Sequence, residues 1–311
     1  MIVTVTLNPA VDEDYVVRDF VPGRWFRAMV SEKTPGGKGI NVSLLLNQLG
    51  HDSAAMGFLA GFNGDYIRDA LQRLRITTNF VHVEGETRTN VHVLDELGHL
   101  ETGLSELGPT ISEDALNRFM SNYRRMLKRA SVVVIGGSIP PGVPQDIYRD
   151  LVTLARDAGR TTFIDAAGPA FMAGIEAGPS FAKIDHRFMS QLSDHPLSSL
   201  DNLIDAVSEI HDFGARWAVA SYHVYGDVFF TPDGIYLATL GDRSDLVSMF
   251  SASDALVSGL IVAYLEGLSS EDAIKFSMAC AMEDATHVAK GISSREAAER
   301  LMSTVLIEKL R

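Results

Sequence analysis

Val132-Val133-Val134-Ile135, then the stretch 145–158, then Thr161-Thr162-Phe163-Ile164: a β-branched run, an amphipathic segment of helical length and a second β-branched run. This unit decides the fold. A strand that is followed by a helix and then a strand returns parallel to itself, with the helix packed on the sheet face. The same rhythm extends both ways. Strands are expected at 2–7, 54–59, 181–183 and 217–221, and helices at 39–49, 64–74, 113–129 and 200–211. Three helices, 254–266, 270–289 and 294–310, are expected to fill the C-terminus. Such alternation predicts an α/β fold, a doubly wound and mostly parallel sheet flanked by helices. In these folds ligands sit beyond the carboxyl ends of the strands.

Two segments break the rhythm. Roughly 12–34 and 87–106 alternate apolar and polar residues with no helix between them, as in Tyr15-Val16-Val17-Arg18-Asp19-Phe20 and Asn90-Val91-His92-Val93-Leu94. They are expected to build a small second sheet within a single 311-residue unit, with a hairpin turning near Gly98. Trp25 and Phe26 on that sheet mark either a partner surface or packing on their own domain.

The composition is that of a globular chain, 46% hydrophobic and 22% charged, and the formal net charge of −13 speaks against nucleic acid or an anionic membrane as partner. Met1 leads straight into a strand and nowhere do eighteen apolar residues run together, so neither a signal peptide nor a membrane span is expected. The lone Cys280, in an apolar helical run, reads as packing in a reducing, cytoplasmic setting.

Two stretches carry chemistry. Ser248-Met249-Phe250-Ser251-Ala252-Ser253-Asp254-Ala255-Leu256-Val257-Ser258-Gly259 is a loop of small residues feeding an apolar helix, with Asp254 at the junction. A helix N-terminus gathers unpaired N–H groups and suits an anion, although a carboxylate there, taken in isolation, is more often a simple cap. Pro35-Gly36-Gly37-Lys38-Gly39-Ile40-Asn41 is a glycine-rich turn before a helix, where backbone can approach a ligand closely. It lacks the endings of a Walker A loop or a dinucleotide fingerprint.

With these strings the chain resembles the PfkB family of ribokinase-like carbohydrate kinases, in the branch of 1-phosphofructokinase and tagatose-6-phosphate kinase. Thr6-Leu7-Asn8-Pro9-Ala10-Val11-Asp12 matches the branch's opening motif, and Thr87-Arg88-Thr89-Asn90 and Gly137-Ser138-Ile139-Pro140-Pro141-Gly142 match two more. The resemblance implies a phosphosugar site made by Asp12, Gly37, Lys38, Asn41, Arg88, Asn90 and Ser138. It implies Asp254 as catalytic base, with backbone amides at Ser251, Ala252 and Ser253 as an anion hole. ATP with Mg²⁺ is the implied cofactor pair, held near Lys183, Asp185, Ser221, His223 and Gly226. It further implies that the small sheet is a lid and that the lids of two subunits clasp in a homodimer.

Departures from the family pattern gather on the nucleotide side. Ser251 and Ser253 stand where the family has glycines, His223 replaces a glycine, and Asp185 and Phe188 replace an asparagine and a glutamate. Asp165-Ala166-Ala167-Gly168 lacks the hydroxyls of the matching turn, and Glu283 and Asp284 bring charge to the region of the adenine pocket. A side chain at 251 or 253 is expected to misaim the anion hole if the turn needs glycine's conformations. Two functions therefore stay open on the sequence: a kinase acting on a ketose phosphate, and a non-catalytic phosphosugar binder that serves as sensor or partner. A kinase for an unphosphorylated sugar or nucleoside is remoter, because Arg88 with Asn90 favours a phosphorylated acceptor.

Overall fold

Runs of β-branched residues and amphipathic runs alternate along the chain, and the described residues close into a ten-stranded and a four-stranded sheet. The computed structural model describes residues 1–98, 100–184, 199–221, 226–241 and 246–311. In the large sheet β1 (Ile2–Thr6), third from one edge, runs parallel between β4 (Ser53–Leu59) and β8 (Val132–Gly136). Beyond β4 lies β5 (Thr77–His82), and beyond β8 come β9 (Thr161–Asp165), β10 (Phe181–Ile184) and β11 (Trp217–Ser221), all parallel. The sheet then turns antiparallel through β12 (Gly226–Thr231), β13 (Gly234–Leu240) and β14 (Val305–Lys309).

Each face of this sheet buries a helical layer. Val3 and Val5 point to one side, where Phe119 and Tyr123 of α3 (Glu113–Leu127), Tyr148 and Leu151 of α4 (Ile147–Asp157), Phe171 of α5 (Gly168–Ile175) and Ile210 of α6 (Leu200–Asp212) pack. Ile2 points to the other, against Leu45 of α1 (Lys38–Gln48), Leu260 of α7 (Ala252–Glu266) and Ile274 of α8 (Ser270–Ala285). Helix α7 is buried on every side from Asp254 to Ala263, which is why its sequence is apolar all round. Helix α2 (Gly61–Arg73) covers β4 and closes a third, smaller core. Among the described residues no helix is long and apolar enough to cross a membrane.

The second sheet has the order β3 (Val30–Gly36), β2 (Ala10–Val17), β6 (Arg88–Asp95), β7 (Leu100–Ser105). Strands β2 and β6 are parallel, with Ala10 opposite Arg88, Asp12 opposite Asn90 and Asp14 opposite His92. Because strand side chains alternate, these six residues share one face. Trp25 is fully exposed, while Phe26 packs on Phe20 with ring centroids 5.4 Å apart.

Three expectations are corrected. The helix expected over 294–310 is a short helix, α9 (Arg295–Leu301), and then β14. Pairing of Val305–Lys309 with β13 satisfies an open edge, and that long-range gain overrides the local helical pattern. Helix α8 ends at Ala285 rather than 289. Strands β5, β12 and β13 and helix α5 were not anticipated, although Pro232-Asp233-Gly234 between apolar runs is a hairpin signal.

Candidate active site

The carboxyl end of β9, the start of α1 and the start of α7 converge on one cluster. Asp165 is the last residue of β9, Lys38 the first of α1, and Asp254 the third of α7. The Lys38 ammonium lies 2.9 Å from Asp165 Oδ2 and 3.3 Å from Asp254 Oδ1. One helical turn on, Asn41 Nδ2 donates to the other Asp254 oxygen at 2.7 Å. Ser253 Oγ donates to Asp165 Oδ2 at 3.0 Å. Burial pushes the Asp254 carboxyl above the usual aspartate range, and the Asp165 charge pushes the same way against Lys38 and Asn41. Burial works against the Lys38 ammonium, but the two carboxylates outweigh it and hold it charged.

The glycine-rich turn lets this cluster meet the second sheet. A Cβ on Gly36 would lie 2.1 Å from Asp12 Oδ2, and Gly37 has φ +106°, so neither position admits a side chain without a shift. Asp12 accepts from Asn90 Nδ2 at 2.7 Å. Arg88 donates from Nε to the Asn8 carbonyl and from Nη1 to that of Glu106, both at 3.2 Å. Among the described residues it has no carboxylate partner. Burial draws the guanidinium below its usual value, offset by Asp12 and Glu106, and an arginine stays charged through such a shift. Asn8 Nδ2 reaches Ser138 Oγ at 3.2 Å, which joins the Arg88 end to the turn after β8.

Three buried acceptors in this region, Asn8 Oδ1, Asn90 Oδ1 and Asp165 Oδ1, have no hydrogen-bond partner among the described residues. An unmade bond of this kind costs about 1–3 kcal/mol. Hydroxyl donors from a ligand are the groups that would satisfy them.

At the start of α7 the carbonyl of Ser251 accepts from the amides of Asp254 and Ala255, at 2.9 and 3.0 Å. The amides of Ala252 and Ser253 precede any intrahelical acceptor and remain available to an anion. Neither serine needs a glycine conformation. Ser251 has φ −109° and ψ −2°, open to any L-residue, and Ser253 lies within the helix. Ser251 Oγ donates to Asp284 Oδ2 at 2.7 Å, and the Gly291 amide donates to Asp284 Oδ1 at 2.7 Å, so two of the departures from the expected pattern are hydrogen-bonded partners. Just before, Phe250 stacks on His92 with centroids 4.0 Å apart, and the Met249 amide donates to Glu101. The second sheet is thereby docked on the loop that leads into α7.

On the far side, Lys183 at the end of β10 donates to Ser221 Oγ at 3.1 Å, and Gly226 opens β12 beside it. Asp185, Phe188 and His223 lie outside the described residues.

This assembly has known counterparts. The sequence model described as pfkB family carbohydrate kinase matches residues 6–297. The chain belongs to the pfkB family of carbohydrate kinases. It is 31% identical over 310 residues to 1-phosphofructokinase of Bacillus subtilis, covering 100% of both chains. It is 31% identical over 293 residues to tagatose-6-phosphate kinase of Staphylococcus epidermidis, covering 92% of this chain and 94% of that one. A crystal structure of a possible 1-phosphofructokinase from Thermotoga maritima superimposes with a TM-score of 0.92 at 31% identity, covering 100% of each chain.

Within this pfkB chain, Asp254 contacts Lys38 and Asn41, Asp12 contacts Asn90, and Lys290 bridges Asp12 to Asn41, while Asn8 links Arg88 to Ser138. Three residues of the cluster were not singled out as ligands from the sequence. Asp165 was seen only as a turn residue, Asp284 only as misplaced charge, and Lys290 not at all. The Lys290 ammonium bonds Asp12 Oδ2 and lies 3.1 Å from Asn41 Oδ1. Its one sequence cue is the glycine that follows it.

Proposed function

We propose that the protein transfers the terminal phosphoryl group of ATP to a hydroxyl of a ketose phosphate, of the fructose 1-phosphate or tagatose 6-phosphate type. One observation carries this reading: a buried carboxylate, Asp254, lies in the first turn of a helix buried from Asp254 to Ala263, gripped by Lys38 and Asn41. Its raised proton affinity suits a general base. Asp254 takes the proton of the acceptor hydroxyl, and the amides of Ala252 and Ser253, with that of Ser251 beside them, receive the charge on the transferred group. Lys38 offsets that charge. Arg88, a cation bonded to two backbone carbonyls, is suited to the acceptor's own phosphate. Asp12, Asn41 and Asn90 hold the sugar hydroxyls, with Gly37 and Ser138 at the edges of the same cleft.

Nucleotide would be held by Lys183, Ser221 and Gly226 and by the N-terminus of α7. The residues fit an anionic ligand there, since α7 offers free amides beside a lysine. Among the described residues no cluster of three His, Cys, Asp or Glu could hold a metal, so Mg²⁺ would arrive on the nucleotide's phosphates, where it neutralises charge. We further propose that the chain works as one unit, with the second sheet as a lid and its outer face joined to that of a second copy. Relatives named for kinases of phosphosugars support the acceptor class. The test is ADP release with fructose 1-phosphate, fructose 6-phosphate and tagatose 6-phosphate, against free fructose and ribose. Turnover with at least one ketose phosphate and much less with the free sugars is expected. No turnover with any phosphosugar would contradict the reading.

A further inference from the structure

Lys290 lies in none of the helices or strands, 278 residues from its ion-pair partner Asp12, yet only 7% of its side chain is exposed. Its ammonium has three protons and meets three acceptors: Asp12 Oδ2, Asn41 Oδ1 at 3.1 Å and the Pro35 carbonyl at 3.3 Å. The backbone around it is fixed. The Gly291 amide donates to Asp284, and the Ile292 amide donates to Gln48 Oε1 at 2.8 Å. This is a built position, unlike that of a surface lysine.

Its consequence is orientation. Asn41 has one oxygen and one NH₂ group, and Lys290 claims the oxygen. The NH₂ must then face Asp254, to which it donates at 2.7 Å. A flipped amide would set its oxygen against a carboxylate and its NH₂ against an ammonium. At the same time Lys290 holds one oxygen of Asp12 while Asn90 holds the other. A buried ion pair adds little net stability, because desolvation offsets the attraction. What it does is fix two carboxylates on different elements, Asp12 of the lid and Asp254 of α7, relative to each other.

We propose that Lys290 is a positioning residue for phosphoryl transfer, setting the acceptor-binding carboxylate Asp12 and, through Asn41, the base Asp254. The inference rests on the transfer reading above. Lone pairs left on Asp12 then receive the acceptor's hydroxyls at a fixed distance from the base. Misplacement by about 1 Å is enough to cost on the order of a hundredfold in rate.

The experiment compares kcat and KM for the ketose phosphate and for ATP in the parent and in Lys290→Met, with Lys290→Gln as the neutral alternative should the first not fold. Rates are expressed per folded molecule. The expected result is a rise in acceptor KM and a fall in kcat of about tenfold or more each, with ATP KM moving less than about threefold. In an Asn41→Ala background, Lys290→Met should still raise acceptor KM but lower kcat by less than about twofold, because the route to Asp254 is already cut. An active parent whose Lys290 variants keep both constants within twofold, or lose kcat equally in the Asn41→Ala background, overturns the positioning role alone. A parent that neither binds nor turns over any phosphosugar fails the transfer reading and this inference with it.

Discussion

Ser251 and Asp284 each look out of place alone and make sense as a pair. The serine hydroxyl donates to the carboxylate, which the Gly291 amide also holds, and burial pushes the Asp284 carboxyl up to about 6 against those two bonds. The sign of the pH effect follows. A carboxyl whose folded pKa lies above its unfolded value of about 3.8 costs nothing below pH 4, and its cost grows until pH passes about 6. At about 1.4 kcal/mol per unit the full cost is on the order of 2–3 kcal/mol. Asp284→Asn removes the charge, keeps the bond from the Gly291 amide on its oxygen and reverses the other, its NH₂ donating to Ser251 Oγ. Thermal unfolding should show the variant more stable than the parent at pH 7.5 by a few degrees, with the gap closing towards pH 4. An equal gap at both pH values would contradict this. The pair also shows what a sequence hides. Asp12, Lys38, Asn41, Arg88, Asn90 and Asp254 were picked out because each sits in a short string that resembles a family motif. Asp284 and Lys290 act through contacts across 33 and 278 residues, and no local spacing encodes those.

At the scale of elements, the parallel half of the sheet was readable because buried strands such as Val132–Gly136 are β-branched runs between amphipathic helices. The antiparallel extension was not. Strand β12 reads as a mixed apolar run, and β14 continues a helical pattern after Leu301; both are strands because each completes the hydrogen bonds of a neighbour. The second sheet was readable from alternation alone, and its inward face, Asp12 and Asp14 beside Asn90 and His92, follows from register. Its docking on α7 was not, since Phe250 meets His92 only once both sheets are built. The turn at Ser251 teaches the opposite lesson. Glycine's absence signalled a defect, yet the backbone there needs no glycine conformation.

For the whole molecule, the unfinished surface is the outer face of the second sheet. Leu100 and Leu104 of β7 point away from the cleft and are about two-thirds exposed, while Glu101 and Gly103 point towards Phe250. Trp25 and Met29 lie exposed on the connection between β2 and β3. Both edges, β3 and β7, pair with no further strand among the described residues. A second copy would cover these residues. Sedimentation should show a dimer that becomes monomeric in a Leu100→Asp, Leu104→Asp double variant, and a monomeric parent would contradict this. The central claim is that one cleft unites an acceptor site with a base at the start of α7. Its most direct test is Asp254→Asn, assayed for ADP release with a ketose phosphate and for ketose phosphate affinity by calorimetry. A loss of kcat of about a hundredfold to ten-thousandfold with affinity held within about threefold is expected; turnover that survives the substitution would contradict it.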